Sequence, residues 1–89
     1  MNSQINCGDY LVTAFIMVSS FEPPSCSSYD LRDKLMKIDA VKEAHVVFGQ
    51  YDLVIKAEVS DSDALGKLIF GEIRSNECVM NTTTLTVIP

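Results

Sequence analysis

Apolar residues recur along this chain in short unbroken runs and in spaced stripes, and the two patterns alternate. Ala14-Phe15-Ile16-Met17-Val18 is apolar at every position, which predicts a strand over 11–18 with both faces covered. The stretch 19–28 is a connector, where Pro23-Pro24 stop the strand and serines offer helix caps. Leu31, Leu35 and Ile38 fall at i, i+4 and i+7, so 29–38 is predicted helical with one buried stripe. Asp30 in its first turn and Lys37 in its last suit the helix dipole. Residues 41–48 and 52–59 are rich in β-branched and aromatic types and predict two further strands. In the second of these, Val54, Lys56 and Glu58 alternate with Leu53, Ile55, Ala57 and Val59, so one face is wetter. Between the two strands, Gly49-Gln50-Tyr51-Asp52 reads as the tight polar turn of an antiparallel hairpin. Ser60-Asp61-Ser62-Asp63 is a dense N-cap signal, and the helix after it turns Leu65, Leu68, Ile69 and Ile73 inward. Gly66 and Gly71 lie inside that helix, each at a cost of about 0.5–1 kcal/mol relative to alanine. Close packing against the sheet is one explanation that the sequence leaves open. Residues 79–88 form the last predicted strand, carrying the hydroxyl row Thr82-Thr83-Thr84.

The order is β-α-β-β-α-β, which predicts an α+β, ferredoxin-like sandwich over 11–89 behind a loose leader at 1–10. The whole chain has 89 residues, one small domain. Such a chain buries roughly 60% of the surface its unfolded form exposes, so its core is marginal alone. Yet 47% of its residues are hydrophobic. One layer of helices covers one face of the first strand; the other face needs a second sheet, most simply that of a second copy. The expectation is therefore a dimeric α/β barrel-like assembly.

Charge narrows the partners. Seven basic and 12 acidic residues give a net charge of −5. Arg32, Lys34 and Lys37 are interspersed with Asp30, Asp33 and Asp39 as a solvated helix face, with no basic cluster to neutralise phosphates. Direct nucleic-acid binding is not expected, and an acidic surface disfavours anionic membranes. No apolar run approaches the ~18 residues of a membrane span, and Met1-Asn2-Ser3-Gln4 opens no signal peptide, so a cytoplasmic protein is expected. Cys7, Cys26 and Cys78 are far apart, form no CxxC, and lack ligand spacing with the single His45. No metal site and no cofactor are expected. The cysteines read as unpaired thiols, with an inter-subunit crosslink through Cys7 or Cys26 as the lesser possibility.

The stretch from Leu35 through Val41 to Gly49-Gln50-Tyr51-Asp52 resembles the effector-binding domain of the Lrp/AsnC regulators, also called the RAM domain. The family pattern there is a helix ending in leucine and isoleucine, a strand, and a turn of type G-x-Y/F-D. Val79-Met80-Asn81-Thr82-Thr83-Thr84-Leu85 resembles its last strand, with T-x-T at Thr82 and Thr84. The likeness covers 12–88. It departs from the family at Asp39-Ala40 and Glu77-Cys78, where Pro-Gly is common. Only 1–11 precede this region, so the expectation is a stand-alone version of the domain without its own DNA-binding helix-turn-helix. The resemblance implies dimers packed sheet against sheet, rings of octamers or decamers, and an amino acid or related metabolite bound between dimers. It also implies full-length Lrp/AsnC-type regulators as further partners, and a role in regulating amino-acid metabolism.

The candidate ligand-binding residues are Gly49, Gln50, Tyr51, Asp52, Thr82 and Thr84. Gly49 lets a backbone approach a ligand closely, or simply makes a turn. Asp52 can accept from an α-ammonium group, or can bond its own backbone. Thr82 and Thr84 share a face and can meet a carboxylate, or they merely suit a pleated strand; Thr83 points the other way. Gln50 and Tyr51 line the pocket or the seam between dimers, or Tyr51 caps the sheet edge. No catalytic residue is assigned. His45 is the one candidate proton shuttle, with no carboxylate the sequence places beside it. Two alternatives stand beside the sensor. One is a small dimeric α/β-barrel enzyme, cofactor-less monooxygenase or isomerase in type, with His45 in an internal apolar pocket. The other is a ligand-free assembly scaffold.

Overall fold

The computed structural model describes residues 11–21 and 26–88, and the expected leader at 1–10 lies outside them. Strand β1 is Val12–Ser20 and helix α1 is Ser28–Met36. The hairpin is β2, Val41–Val46, and β3, Leu53–Val59. Helix α2 is Ser62–Lys67, and strand β4 is Val79–Thr86. The predicted β-α-β-β-α-β order holds, with strand ends shifted by a few residues.

The sheet is antiparallel, in the order β2-β3-β1-β4. This corrects one expectation. The sheet is open rather than barrel-like, because β2 and β4 are opposite edges separated by two full strands. Four strands enclose no interior that side chains could fill. The ferredoxin-like sandwich itself stands.

Strand periodicity sorts the faces. Ala14, Ile16 and Val18 of β1 and Leu53, Ile55, Ala57 and Val59 of β3 are buried on the helix side. Leu31 and Leu35 of α1 and Leu65 of α2 close over them. Each large aliphatic side chain fully buried here contributes about 1.5–3 kcal/mol. The caps are those the sequence announces: Ser27 Oγ accepts from Asp30 N–H, and Asp61 Oδ1 accepts from Ala64 N–H at 2.8 Å.

Beyond Lys67 the helix widens into a π-helical segment, Leu68–Ile73, ending with Arg74 N–H on the Ile69 carbonyl at 2.7 Å. Leu68, Ile69 and Ile73 all remain buried in it. The stripe was legible in the sequence and the change of helical pitch was not. Gly66 and Gly71 do not mark close packing: a Cβ at either would meet nothing within 4 Å.

The opposite face of the sheet is bare. Phe15, Met17, Val54 and Leu85 share it, and Leu85 is 57% exposed. Toward the β2 edge this face turns polar through Lys56, Glu43 and His45. Continuous apolarity in β1 thus reflects one face against helices and one face open.

Candidate functional site

The hairpin connection runs over 47–52 and is closed by Val47 N–H on the Asp52 carbonyl at 2.9 Å. Its φ-positive residue is Gly49, at +149°, a conformation that side-chain-bearing residues rarely adopt. Gly49 and Gln50 are exposed, and Tyr51 and Asp52 are half-buried. Phe48 stands fully exposed just before the glycine.

Asp52 is fastened to the end of β1. Its N–H donates to the Val18 carbonyl at 2.9 Å, and its Oδ2 accepts from the Ser20 N–H at 2.8 Å. Ser20 is buried, and its Oγ lies 3.5 Å from Ser28 Oγ in the first turn of α1. A bulge between Ser19 and Ser20 shifts the β1–β4 register at this point. Ser20 lies past the last β1–β3 pair, Val18 with Leu53, so the carboxylate satisfies a backbone donor beyond the end of that ladder.

Thr82 pairs with Val18 and Thr84 with Ile16, so both lie on the helix side of β4 and are half-buried. Asp52 and Thr82 flank Val18 from opposite sides, roughly two strand spacings, or 10 Å, apart. Thr84 sits one step further along the strand. Thr83, set aside in the sequence, faces the bare side with Met17, and there Tyr51 Oη donates to its Oγ1 at 3.2 Å. The structure thus gathers Tyr51, Asp52 and Thr82 at one end of the sheet, with Thr84 farther along. It adds Ser20, Ser28 and Thr83, which no motif announced. Only register reveals them, because each is made useful by a partner distant in sequence.

Cys26 and Cys78 form a disulfide within the chain, Cα to Cα 5.4 Å, at this same end. The expectation of unpaired or inter-subunit thiols is overturned for this pair. A separation of 52 residues carries no pairing signal; the fold creates it by bringing Cys26, two residues before α1, to Cys78 at the entry to β4. Cys7 lies outside the described residues.

His45 does have a carboxylate beside it. Its Nε2 lies 3.1 Å from Glu43 Oε1, on the bare face, and Lys56 Nζ is 3.8 Å from Glu43 Oε2. The hydrogen bond from His45 holds the Glu43 carboxyl below its ordinary 4.5, with Lys56 adding in the same direction and desolvation opposing. All three groups are solvent-exposed to a substantial degree, an arrangement of surface charge rather than a sequestered acid–base pair. Among the described residues no group of three or more His, Cys, Asp or Glu is placed to hold a metal ion. No helix among them is long and apolar enough to cross a membrane.

Two surface grooves lie away from these residues. One, of about 540 Å³, runs between the end of α1 and α2 with Lys37, Asp39, Lys67 and Glu72 at its rim. The other, of about 610 Å³, lies on α2 around Gly66 and Phe70. Both are open and neither contains His45, so they do not supply the internal pocket that the enzyme alternative requires.

Comparison with known proteins agrees with this architecture. Residues 13–89 match the model of the Lrp/AsnC ligand binding domain. The crystal structure of FFRP-DM1 superposes with a TM-score of 0.78 at 34% identity, covering 86% of this chain and 99% of that one. The crystal structure of the hypothetical protein PHS023 from Pyrococcus horikoshii gives 0.79 at 33% identity, covering 88% and 90%. An uncharacterised HTH-type transcriptional regulator of Pyrococcus furiosus is 25% identical over 73 residues, 82% of this chain. The chain spans 49% of that relative's length. With the match running from β1 to the end of the sequence, this chain belongs to the Lrp/AsnC ligand-binding domain family.

Proposed function

We propose that the chain is a small-molecule sensor that binds an amino acid or related metabolite and couples it to self-association. In this reading it contributes to transcriptional regulation of amino-acid metabolism by joining full-length regulators of its family. The observation that carries the reading is the family match over 13–89. The bare apolar face supports the association half of it. Phe15, Met17, Val54 and Leu85 form a patch that a second copy covers by stacking its own sheet, leaving both sheets open-edged. The end built from 49–52 and Thr82 supports the ligand half, since it offers an exposed glycine backbone and the half-buried Asp52 carboxylate and Thr82 hydroxyl. In the proposal these dimers associate further into rings of octamers or decamers, with Gly49, Gln50, Tyr51, Asp52, Thr82 and Thr84 at the seams. A ligand acts on assembly only as far as it binds one assembly state better than another.

The test combines a thermal-shift screen across the proteinogenic amino acids with light scattering. A binder at about 100 times its Kd adds roughly 2.7 kcal/mol of stability, and the scattering mass changes with it. Phe15→Lys on the bare face is expected to give monomers at micromolar concentration. A screen in which no amino acid moves either readout favours the ligand-free scaffold instead. A monodisperse monomer of the unaltered chain removes the association half.

A further inference from the structure

The Cys26–Cys78 bond occupies a place that general stapling does not explain. Cys26 stands immediately before Ser27, the N-cap of α1, and Cys78 immediately before Val79, the first residue of β4. Phe21 N–H donates to the Cys78 carbonyl at 2.9 Å. Phe21 and Cys26, the residues on either side of 22–25, are therefore both tied to Cys78. Phe21 follows Ser20, whose N–H is held by Asp52 and whose hydroxyl meets Ser28. The connections close a ring through Ser20, Phe21, Cys78, Cys26 and Ser28, and Asp52 hangs from that ring.

Both cysteines are half-buried rather than sealed in the core. The rest of α1 does not depend on it, because Leu31 and Leu35 are buried against the sheet. With the bond open, the covalent path from α1 to β4 at this end is gone, and a long 3.5 Å hydroxyl contact links Ser28 to Ser20. In the sensor reading above the chain works in a reducing compartment, where disulfides of mesophilic proteins are transient and redox-sensing more often than permanent.

We infer that Cys26–Cys78 is a redox-responsive clasp on the Asp52 end of the sheet, which holds that end in its ligand-competent form when closed and loosens it when open. The ligand part rests on the sensor reading above. Opening takes a dithiol reductant. Its thiolate attacks one sulfur, the S–S bond breaks and a mixed disulfide forms. The second thiol of the reductant then displaces the remaining sulfur. Two electrons and two protons pass to the protein, giving two cysteine thiols, and the reductant leaves as its own disulfide. Closing is the reverse, with a small-molecule disulfide such as glutathione disulfide as the oxidant.

The experiment uses the full chain carrying Cys7→Ser, oxidised with glutathione disulfide or reduced with dithiothreitol, and follows hydrogen–deuterium exchange. Reduction is expected to speed exchange at Ser20, Phe21 and the first turn of α1 by on the order of tenfold. Ile16 and Ile55 in the central strands stay protected, and reoxidation restores the first group. Cys26→Ser in the same background is expected to match the reduced state without reductant. Unchanged exchange at Ser20 and Phe21 overturns the clasp. So does loss of protection at Ile16 and Ile55, which makes the bond a staple of the whole fold. In parallel, thermal-shift titrations with the proteinogenic amino acids compare the two redox states, with weaker binding expected on reduction. Equal binding in both states overturns the coupling. If no amino acid binds even the oxidised chain, the sensor reading fails, and the exchange data still decide the clasp.

Discussion

The Tyr51 hydroxyl donates to Thr83 Oγ1 at 3.2 Å, joining the hairpin connection to the far edge strand past the whole width of β1. Asp52, the next residue, reaches the end of β1 itself. Two consecutive side chains thus brace the hairpin against two different strands, and the position of Gly49 and Gln50 follows from both.

Tyr51→Phe and Thr83→Val each remove one partner of this bond. The bond is solvent-exposed, so each single change is expected to cost about 0.5–1 kcal/mol, the low part of the range for a hydrogen bond. The double variant is expected to cost less than the sum of the two, because the bond can be lost once only. Urea denaturation of the four proteins in the cycle measures the coupling, and strict additivity contradicts the brace.

Asp52→Ala is expected to destabilise the fold by about 1–3 kcal/mol, since the part-buried Ser20 N–H loses its acceptor. Asp52→Asn keeps an acceptor oxygen and costs less. Chemical denaturation separates the two variants. A ligand-binding assay on Asp52→Ala alone therefore conflates a lost contact with a loosened strand end, and the asparagine variant is the cleaner reporter.

The hairpin, the buried stripes Leu31/Leu35 and Leu65/Ile69, and the strand alternation in 53–59 were all legible, because each is encoded by neighbours in sequence. Other features were not. The openness of the sheet depends on which strands lie at its edges, and local pattern does not specify strand order. The Cys26–Cys78 pair depends on bringing two connectors together. Thr83 was set aside by correct alternation, yet a tyrosine reaching across the sheet makes its face the relevant one. Glu43 escaped notice beside His45 although i and i+2 on a strand share a face.

That Glu43–His45 contact sets a pH dependence. The folded state holds the Glu43 carboxyl below 4.5, chiefly through the hydrogen bond from His45 and also through Lys56. Folding therefore favours the charged form. The resulting stabilisation is present above pH 4.5 and is lost as pH falls through the lower folded value. Glu43 is exposed, so the contribution is small. The sensitive measurement is an NMR titration of the Glu43 side-chain carboxyl. Its inflection is expected below 4.5 in the unaltered chain and closer to 4.5 in His45→Ala. An inflection that His45→Ala leaves in place contradicts the assignment.

Gly66 offers the opposite kind of test, a change expected to stabilise. It lies inside α2 with ordinary helical backbone, and a Cβ there would meet no atom within 4 Å. Nothing in the fold uses its lack of a side chain, while glycine costs the helix conformational entropy. Gly66→Ala is therefore expected to raise stability by about 0.5–1 kcal/mol. In a domain of this size that corresponds to a rise in Tm of about 2–8 °C, read by differential scanning calorimetry. The site also borders the groove that contains Lys67 and Phe70. A fall in Tm, or a stable variant that no longer associates, would show that another copy presses against this face of α2 and needs the space.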